Sequence, residues 1–353
     1  MKNRIIQIRK SLLSPNHAFV IMRPENRRYM SGFTGSAGAI VITQQAAILI
    51  TDFRYVEQAG VQAPDYQIVE HQGPLLKTLK QVLQDQQITT LAFETDYVTF
   101  AQYQVWSREL GVQLEPVEGW VEKLRQIKDH QEIEAIRRSV RLADQAFDHV
   151  LGIIKPGIKE IEVAQELEFF MRRAGASGLA FDSIVASGPQ SALPHAQPTE
   201  RAVQTGEFLK MDFGCVVQGY CSDLTRTVGL GQVSEQHRRI YQIVLEAQLA
   251  AIKAIGAGVT GQAVDQVARA IITEAGYGNN FGHGLGHSLG LVVHESPRLA
   301  TSETTVLMPG MVLTVEPGIY LPGWGGVRIE DVVVVTDDGC EILTTANKQL
   351  LLL

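Results

Sequence analysis

Apolar positions in the first third of the chain switch repeatedly between helical and strand spacing. Ile5, Ile8, Leu12 and Leu13 recur at three- and four-residue steps, so the chain opens on a short amphipathic helix over 1–13. The run HAFVIM at 17–22 predicts a strand, and Ala39–Thr43 and Ala46–Thr51 predict two more around a Gln44-Gln45 turn. Between them Asn26–Ser36, with Gly32 and Gly35, predicts a loop. Asp52 is placed to cap a helix through Arg54–Gln58. Pro74–Leu83 places Leu75, Leu76, Leu79, Val82 and Leu83 on one side of a helix. A strand at Leu91–Glu94 and a helix at Phe100–Leu110 follow. Strands alternating with helices predict an α/β domain, closed by a break near Val117–Gln126; the expected division is 1–122 and 123–353. Nothing in this part gathers catalytic residue types, and Asp52, Arg54 and His71 read as surface or capping groups.

The pattern then changes. Asp129 can cap a long helix over His130–Leu151, whose buried stripe is Ile133, Ile136, Val140, Ala143, Phe147 and Val150. Lys155-Pro156-Gly157 stops it, and a second helix runs from about Glu160 to Arg173 before Gly175. A strand is expected at Phe181–Ala186 and a loop at Ser187–Pro198, carrying Pro194-His195. Two further helices are expected at about Ser234–Ile255 and Thr260–Ala275. Met311–Glu316 predicts a strand closed by Pro317-Gly318. Val327–Val335 predicts one continuous strand, turned at Asp337-Asp338-Gly339 into Cys340–Thr345. Helices bracketing hairpin strands make this larger part α+β.

At its centre lies the stretch Glu207–Val228. Gln218-Gly219 is a turn pair, and a hairpin about it sets Val217 against Tyr220, Gly214 against Asp223 and Asp212 against Thr225. Asp212 and Asp223 then share a face, one diagonal step apart. Two carboxylates about 4 Å apart repel by roughly 4 kcal/mol at an effective dielectric near 20. A positive group must sit between them, or one must hold a proton.

Composition narrows the function classes. Of 353 residues, 45% are hydrophobic and 20% charged, an ordinary globular balance, and the formal net charge is −7. Without a concentrated Lys/Arg block, neither nucleic acid nor an anionic membrane is an expected partner. No apolar run approaches the roughly 20 residues of a membrane span. The basic, amphipathic N-terminal stretch lacks the apolar core of a signal peptide. Cys215 and Cys221 fall on opposite faces of the hairpin and Cys340 is remote, so a reduced cytoplasmic setting is expected. Cys215 reads as core packing rather than a nucleophile.

Four segments carry the candidate chemistry: Asp212/Asp223, His283/His287/His294, Glu316, and Arg328/Glu330. Arg328 and Glu330 are two apart in the expected strand and share a face, whereas Asp331 points the other way and reads as structural. His283 and His287 are four apart, but Gly282, Gly284 and Gly286 oppose a helix, so a zinc-helix motif does not fit. The same glycine-rich stretch lacks the Lys-Ser/Thr of a phosphate loop. Taken singly, each acid is an ordinary strand end. Together, Asp212, Asp223, Glu316 and Glu330 offer four negative charges and His287 an imidazole, which two divalent cations would balance. Oxygen ligands with one imidazole favour manganese, cobalt or iron(II). Such a pair can hold a hydroxide and stabilise the oxyanion it creates.

The motifs LPH (193–195), MDFG (211–214), SDLTRT (222–227), HGLGHSLGLVVHE (283–295), TVEPGIY (314–320) and GVRIED (326–331) resemble, in that order, the pita-bread metallopeptidases that act next to proline. These are Xaa-Pro aminopeptidase (aminopeptidase P) and Xaa-Pro dipeptidase (prolidase). YMSGFTGSAG (29–38) and ILITDFRY (48–55) are similar to the smaller creatinase-like N-terminal α/β domain of the bacterial enzymes. The resemblance implies a pita-bread catalytic domain that cleaves the bond between an N-terminal residue and a following proline through a metal-bridging hydroxide. It implies metal ligands Asp212, Asp223, His287, Glu316 and Glu330, with Asp223 and Glu330 bridging two ions per subunit, manganese first, with cobalt, iron or zinc as substitutes. Glu316 resembles the general base, and His195 the histidine that serves the departing group. His294 and Arg328 resemble the residues that bind around the proline and the peptide's carboxyl side, and His283 resembles a substrate-facing histidine. Thr225 is placed to orient a ligand carboxylate. Proline-containing peptides are the implied partners and a homodimer the implied assembly. A non-catalytic peptide-binding module and a methionine aminopeptidase-like exopeptidase are the alternatives; creatinase, which shares the fold, lacks the metal set.

Overall fold

The periodicities above become two units, which divide between Arg125 and Gln126 in a computed structural model describing residues 2–353. In the first, the apolar runs form a mixed six-stranded sheet. Its order is Gln67–Glu70, Ala47–Thr51, Ala39–Thr43, His17–Ile21, Thr90–Glu94, Gln113–Val117. The central strand His17–Ile21 is antiparallel to Ala39–Thr43 and parallel to Thr90–Glu94. The helix Leu75–Asp85 buries Leu79, Val82 and Leu83.

Two expectations fail in this unit. The stretch expected to be a loop contains a helix, Pro24–Ser31. Pro24 suits its first turn, and Gly32, at φ 81°, supplies the left-handed C-terminal cap. Arg27 of that helix is buried and donates to the carbonyls of Gly35, at 2.6 Å, and Gly38, at 2.8 Å, so the glycines follow the helix rather than replace it. Asp52 caps no helix. Its carboxylate accepts from the Arg54 amide at 3.0 Å and from the Arg54 guanidinium, and the helix begins later, at Val56–Gln62.

The second unit pairs two helix-backed sheets. Phe208–Phe213 lies between Leu224–Gly229 and Ile184–Ser187, antiparallel to both. Alternate residues Leu209, Met211 and Phe213 pack against Phe147 and Leu167 of the helices His130–Leu151 and Glu160–Arg173. The other sheet has the order Glu295–Leu299, Gly286–Ser288, Val312–Val315, Asp331–Thr336, Gly339–Ile342. Here Leu313, Val315, Val333 and Val335 pack with Val244 of Glu235–Ala254 and Ala268 of Gly261–Glu274. With helices over one face of each sheet, alternation turns Lys210, Asp212, Thr225, Thr227 and Thr314 to the opposite faces, away from those apolar layers.

The acidic hairpin has the expected register, Val217↔Tyr220 and Asp212↔Thr225. Gln218 and Gly219 both have positive φ, as a primed hairpin turn requires. The ladder is broken midway, and Cys215–Val217 joins Tyr220–Cys221 and Gly178–Leu179 in a separate small sheet. Gly214 permits the break, since a Cβ there would lie 2.0 Å from the Ser222 carbonyl oxygen. The strand expected over 181–186 is the shorter Ile184–Ser187. The expected continuous strand Val327–Val335 is two strands, Gly325–Arg328 and Asp331–Thr336. Its partner is also divided, into Val312–Val315 and Gly318–Leu321, because Pro317 cannot donate to the ladder. Both chains therefore bend together, leaving Glu316 and Glu330 at the bend. All three cysteines are free, and among the described residues no helix is long and apolar enough to cross a membrane.

Candidate metal centre

The alternation and the double bend bring the candidate acids to one place. Asp212 stands on the inner face of Phe208–Phe213, Asp223 just precedes Leu224–Gly229, and His287 is the middle residue of Gly286–Ser288. Gly286 is needed where it is, because a Cβ would sit 2.0 Å from the Thr314 carbonyl oxygen and force the His287 strand away. Ligand atoms of Asp223, His287 and Glu330, all buried, lie within 4.8 Å of one another. His287 Nε2 is 3.3 Å from Glu316 Oε1 and 3.6 Å from Asp223 Oδ2. Asp212 joins the group through Arg328, whose Nη2 donates to Asp212 Oδ2 and whose Nε lies 3.9 Å from Glu316 Oε2.

A ring of hydroxyls orients these carboxylates. Thr225 Oγ1 donates to Glu330 Oε2 at 2.6 Å and accepts from Arg328 Nε at 3.0 Å. Thr314 Oγ1 donates to Glu316 Oε1 at 3.2 Å and accepts from the His287 amide at 3.0 Å. Tyr320 was not singled out from the sequence, although it ends one of the quoted motifs. Its hydroxyl accepts from Arg328 Nη1 at 2.9 Å and meets His283 Nε2 at 2.9 Å. His283 Nδ1 faces the Gly284 carbonyl at 2.8 Å, so Nδ1 carries the proton and Nε2 accepts from Tyr320. Burial lowers the His283 and His294 pKa values, consistent with neutral rings.

The electrostatics leave negative charge uncompensated. Burial, then repulsion from neighbouring carboxylates, pushes the Asp223 and Glu330 carboxyls well up, and burial raises Asp212 against the pull of Arg328. Burial acts upward on Glu316 too, but the His287 hydrogen bond and charge, with Arg328, hold it at about 2. Asp212 Oδ1 and Glu330 Oε1 are buried without a hydrogen-bond partner. An orphaned carboxylate oxygen is costly unless a cation meets it. Four carboxylates and an imidazole around such oxygens are the donor set of hard or borderline divalent ions, so the residues present fit a metal centre.

Around this floor opens a cavity of about 830 Å³ whose walls include His195, His283, His294, Arg328, Phe181 and Val293. The nine residues singled out from the sequence thus lie together: eight line the cavity and Glu330 groups with Asp223 and His287. The His294 ring stands edge-on to His287 at 4.4 Å. Arg328 is engaged within the protein at every nitrogen, and its Nη1 reaches the Pro194 carbonyl at 3.3 Å as well as Tyr320. Asp331 faces away, as expected, and is bound by Arg226 at 2.7 Å, Gln248 at 2.8 Å and Lys348. Lys210, also not singled out from the sequence, is buried two residues before Asp212, and burial with the nearby Arg328 charge pulls it down to about 6.

Comparison with known proteins gives the same picture of the two units. Residues 134–337 match the family described as metallopeptidase family M24, and residues 16–127 match the creatinase/prolidase N-terminal domain. A peptidase of Bacillus subtilis named YqhT, described as uncharacterized, is 47% identical over 329 residues, 93% of each chain. The structure of an Xaa-Pro dipeptidase from Bacillus anthracis superposes with a TM-score of 0.98 at 46% identity, covering 100% of this chain and 99% of that one. An X-Pro aminopeptidase from Thermotoga maritima superposes at 0.92 with 40% identity, covering 98% of this chain and 100% of the other.

Proposed function

The chain belongs to metallopeptidase family M24, and we propose that it is an exopeptidase that releases the N-terminal residue from peptides with proline in second position. The observation that carries the reading is the buried convergence of Asp212, Asp223, His287, Glu316 and Glu330, with orphaned oxygens on two of them, at the floor of a peptide-sized cavity. The activities named for the Bacillus anthracis and Thermotoga maritima proteins support the proline preference. In this reading the five side chains would hold two divalent ions, manganese first. Bound ions of this kind supply a Lewis acid and an acidified water.

The chain's own residues do the rest. Thr225 and Thr314 orient the carboxylates of Glu330 and Glu316 by hydrogen bonds. Glu316, at the cavity floor beside His287, is placed to take the proton of the attacking water. The bond that breaks joins the carbonyl carbon to a prolyl nitrogen that carries no hydrogen. That nitrogen leaves as a secondary amine only if a proton reaches it, and His195, exposed at the cavity wall, is the group assigned to deliver it. His283, His294 and Arg328 frame the proline. A homodimer in a reducing compartment completes the reading, and the free cysteines suit that setting.

Metal-stripped protein reloaded with manganese tests this on Ala-Pro, Ala-Pro-Ala-Ala and Met-Ala-Ala. Cleavage of the first two well above the third supports the proposal, and their ratio separates a dipeptidase from an aminopeptidase. Preference for Met-Ala-Ala would move the protein to the methionine aminopeptidase type. Stoichiometric metal without cleavage of any of them would make it a binding module.

A further inference from the structure

Lys210 and Asp212 share one face of the strand Phe208–Phe213, because side chains alternate and the other face is taken by Leu209, Met211 and Phe213. At 0% exposure, Lys210 has exchanged water for other acceptors. It finds them in one short stretch of backbone. Its Nζ donates to the Leu193 carbonyl at 2.7 Å and the Ser191 carbonyl at 3.1 Å, and reaches the Pro194 carbonyl at 3.5 Å. Arg328 Nη1 meets the same Pro194 oxygen at 3.3 Å. These carbonyls lead directly into His195. The His195 ring has no hydrogen-bond partner of its own among the described residues, so its place in the cavity wall is set by the backbone before it.

We propose that Lys210 is a positioning residue for His195: by fastening the carbonyls of Ser191, Leu193 and Pro194 from beneath, it holds the imidazole where the departing prolyl nitrogen takes its proton. The inference rests on the role given to His195 under the proposed function. The fastening does not depend on titration, because a lysine amine, charged or neutral, keeps at least two N–H bonds for these oxygens. A displacement of about 1 Å in a catalytic group can cost on the order of a hundredfold in rate, so the backbone that carries a proton donor needs such a hold.

The test is a double-mutant cycle in the manganese-loaded enzyme with Lys210→Met and His195→Ala. Lys210→Met keeps the aliphatic stem and removes every donor. It is expected to lower kcat on an Xaa-Pro peptide by roughly 10- to 100-fold, with KM and metal content nearly unchanged. In the His195→Ala background the same change is expected to cost less than about twofold. Hydrogen–deuterium exchange across 188–198 is expected to rise in Lys210→Met. If that variant does not fold, Lys210→Gln, which keeps one donor group, runs the same cycle with a smaller loss. Undiminished kcat, or an equal loss in both backgrounds, would overturn the inference while leaving the peptidase reading intact. If His195→Ala itself costs nothing, there is nothing to position, and the role assigned to His195 falls with the inference.

Discussion

Replacing Thr225 by valine removes one oxygen and leaves the side-chain shape almost unchanged. That oxygen is fully buried, donates to Glu330 Oε2 at 2.6 Å and accepts from Arg328 Nε at 3.0 Å. Glu330 Oε1 already has no partner in the protein, so the substitution leaves both oxygens of a buried carboxylate without a donor. A hydrogen bond to a charged group is worth about 1.5–3 kcal/mol. At about 1.4 kcal/mol per decade, that is roughly a 10- to 150-fold loss if it falls on metal affinity. Groups that orient a metal ligand typically cost 10- to 100-fold when lost, a range reached independently. Manganese titration by calorimetry, with circular dichroism to confirm the fold, measures the loss directly. Thr225→Ser keeps the hydroxyl and should recover most of the affinity. A Thr225→Val protein that folds and binds manganese as tightly as the parent would refute the claim that Glu330 is held for a metal.

Other consequences follow from the same contacts. Asp223, Glu330 and Asp212 have folded-state pKa values above their ordinary 3.8–4.5, so the metal-free folded chain binds more protons than the unfolded one above that range. Stability of chelator-treated protein should therefore fall as pH rises from about 4 toward neutrality, and bound manganese should abolish the fall; urea unfolding at several pH values with and without metal checks the sign. Asp331→Asn strands the buried Arg226 and should cost about 3–5 kcal/mol by denaturant titration. Tyr320→Phe removes the hydroxyl between Arg328 and His283 and should lower kcat/KM by about tenfold without changing metal content, read by steady-state kinetics and metal analysis.

Local rules made much of this legible. The Gln218-Gly219 turn fixed the hairpin register, and with it the shared face of Asp212 and Asp223. Asp129 marked its helix start, where its carboxylate accepts from the Glu132 amide and the Glu132 carboxylate accepts from the Asp129 amide. The glycines of 282–286 correctly ruled out a helix under His283 and His287. The failures have local causes as well. Gly32 and Gly35 outweighed Pro24, which announces the helix they follow. The edge strands Gln67–Glu70 and Gln113–Val117 carry too little apolar alternation to read, and one contains Pro116. Glu330 looked like a mid-strand residue because the bend opposite Pro317 depends on a partner strand, not on its own neighbours. What could not be read at all was long-range: Arg328 on Asp212, Tyr320 between Arg328 and His283, and Lys210 under the His195 backbone join residues between 8 and 116 positions apart.

The account turns on five side chains holding two ions at the cavity floor. Anomalous diffraction at the manganese edge, from crystals grown with manganese, tests it most directly. Two peaks are predicted, both within coordination distance of Asp223 and Glu330, with Asp212, His287 and Glu316 completing the ligands. Full occupancy elsewhere, or an empty floor with Asp212 still paired only to Arg328, would contradict it.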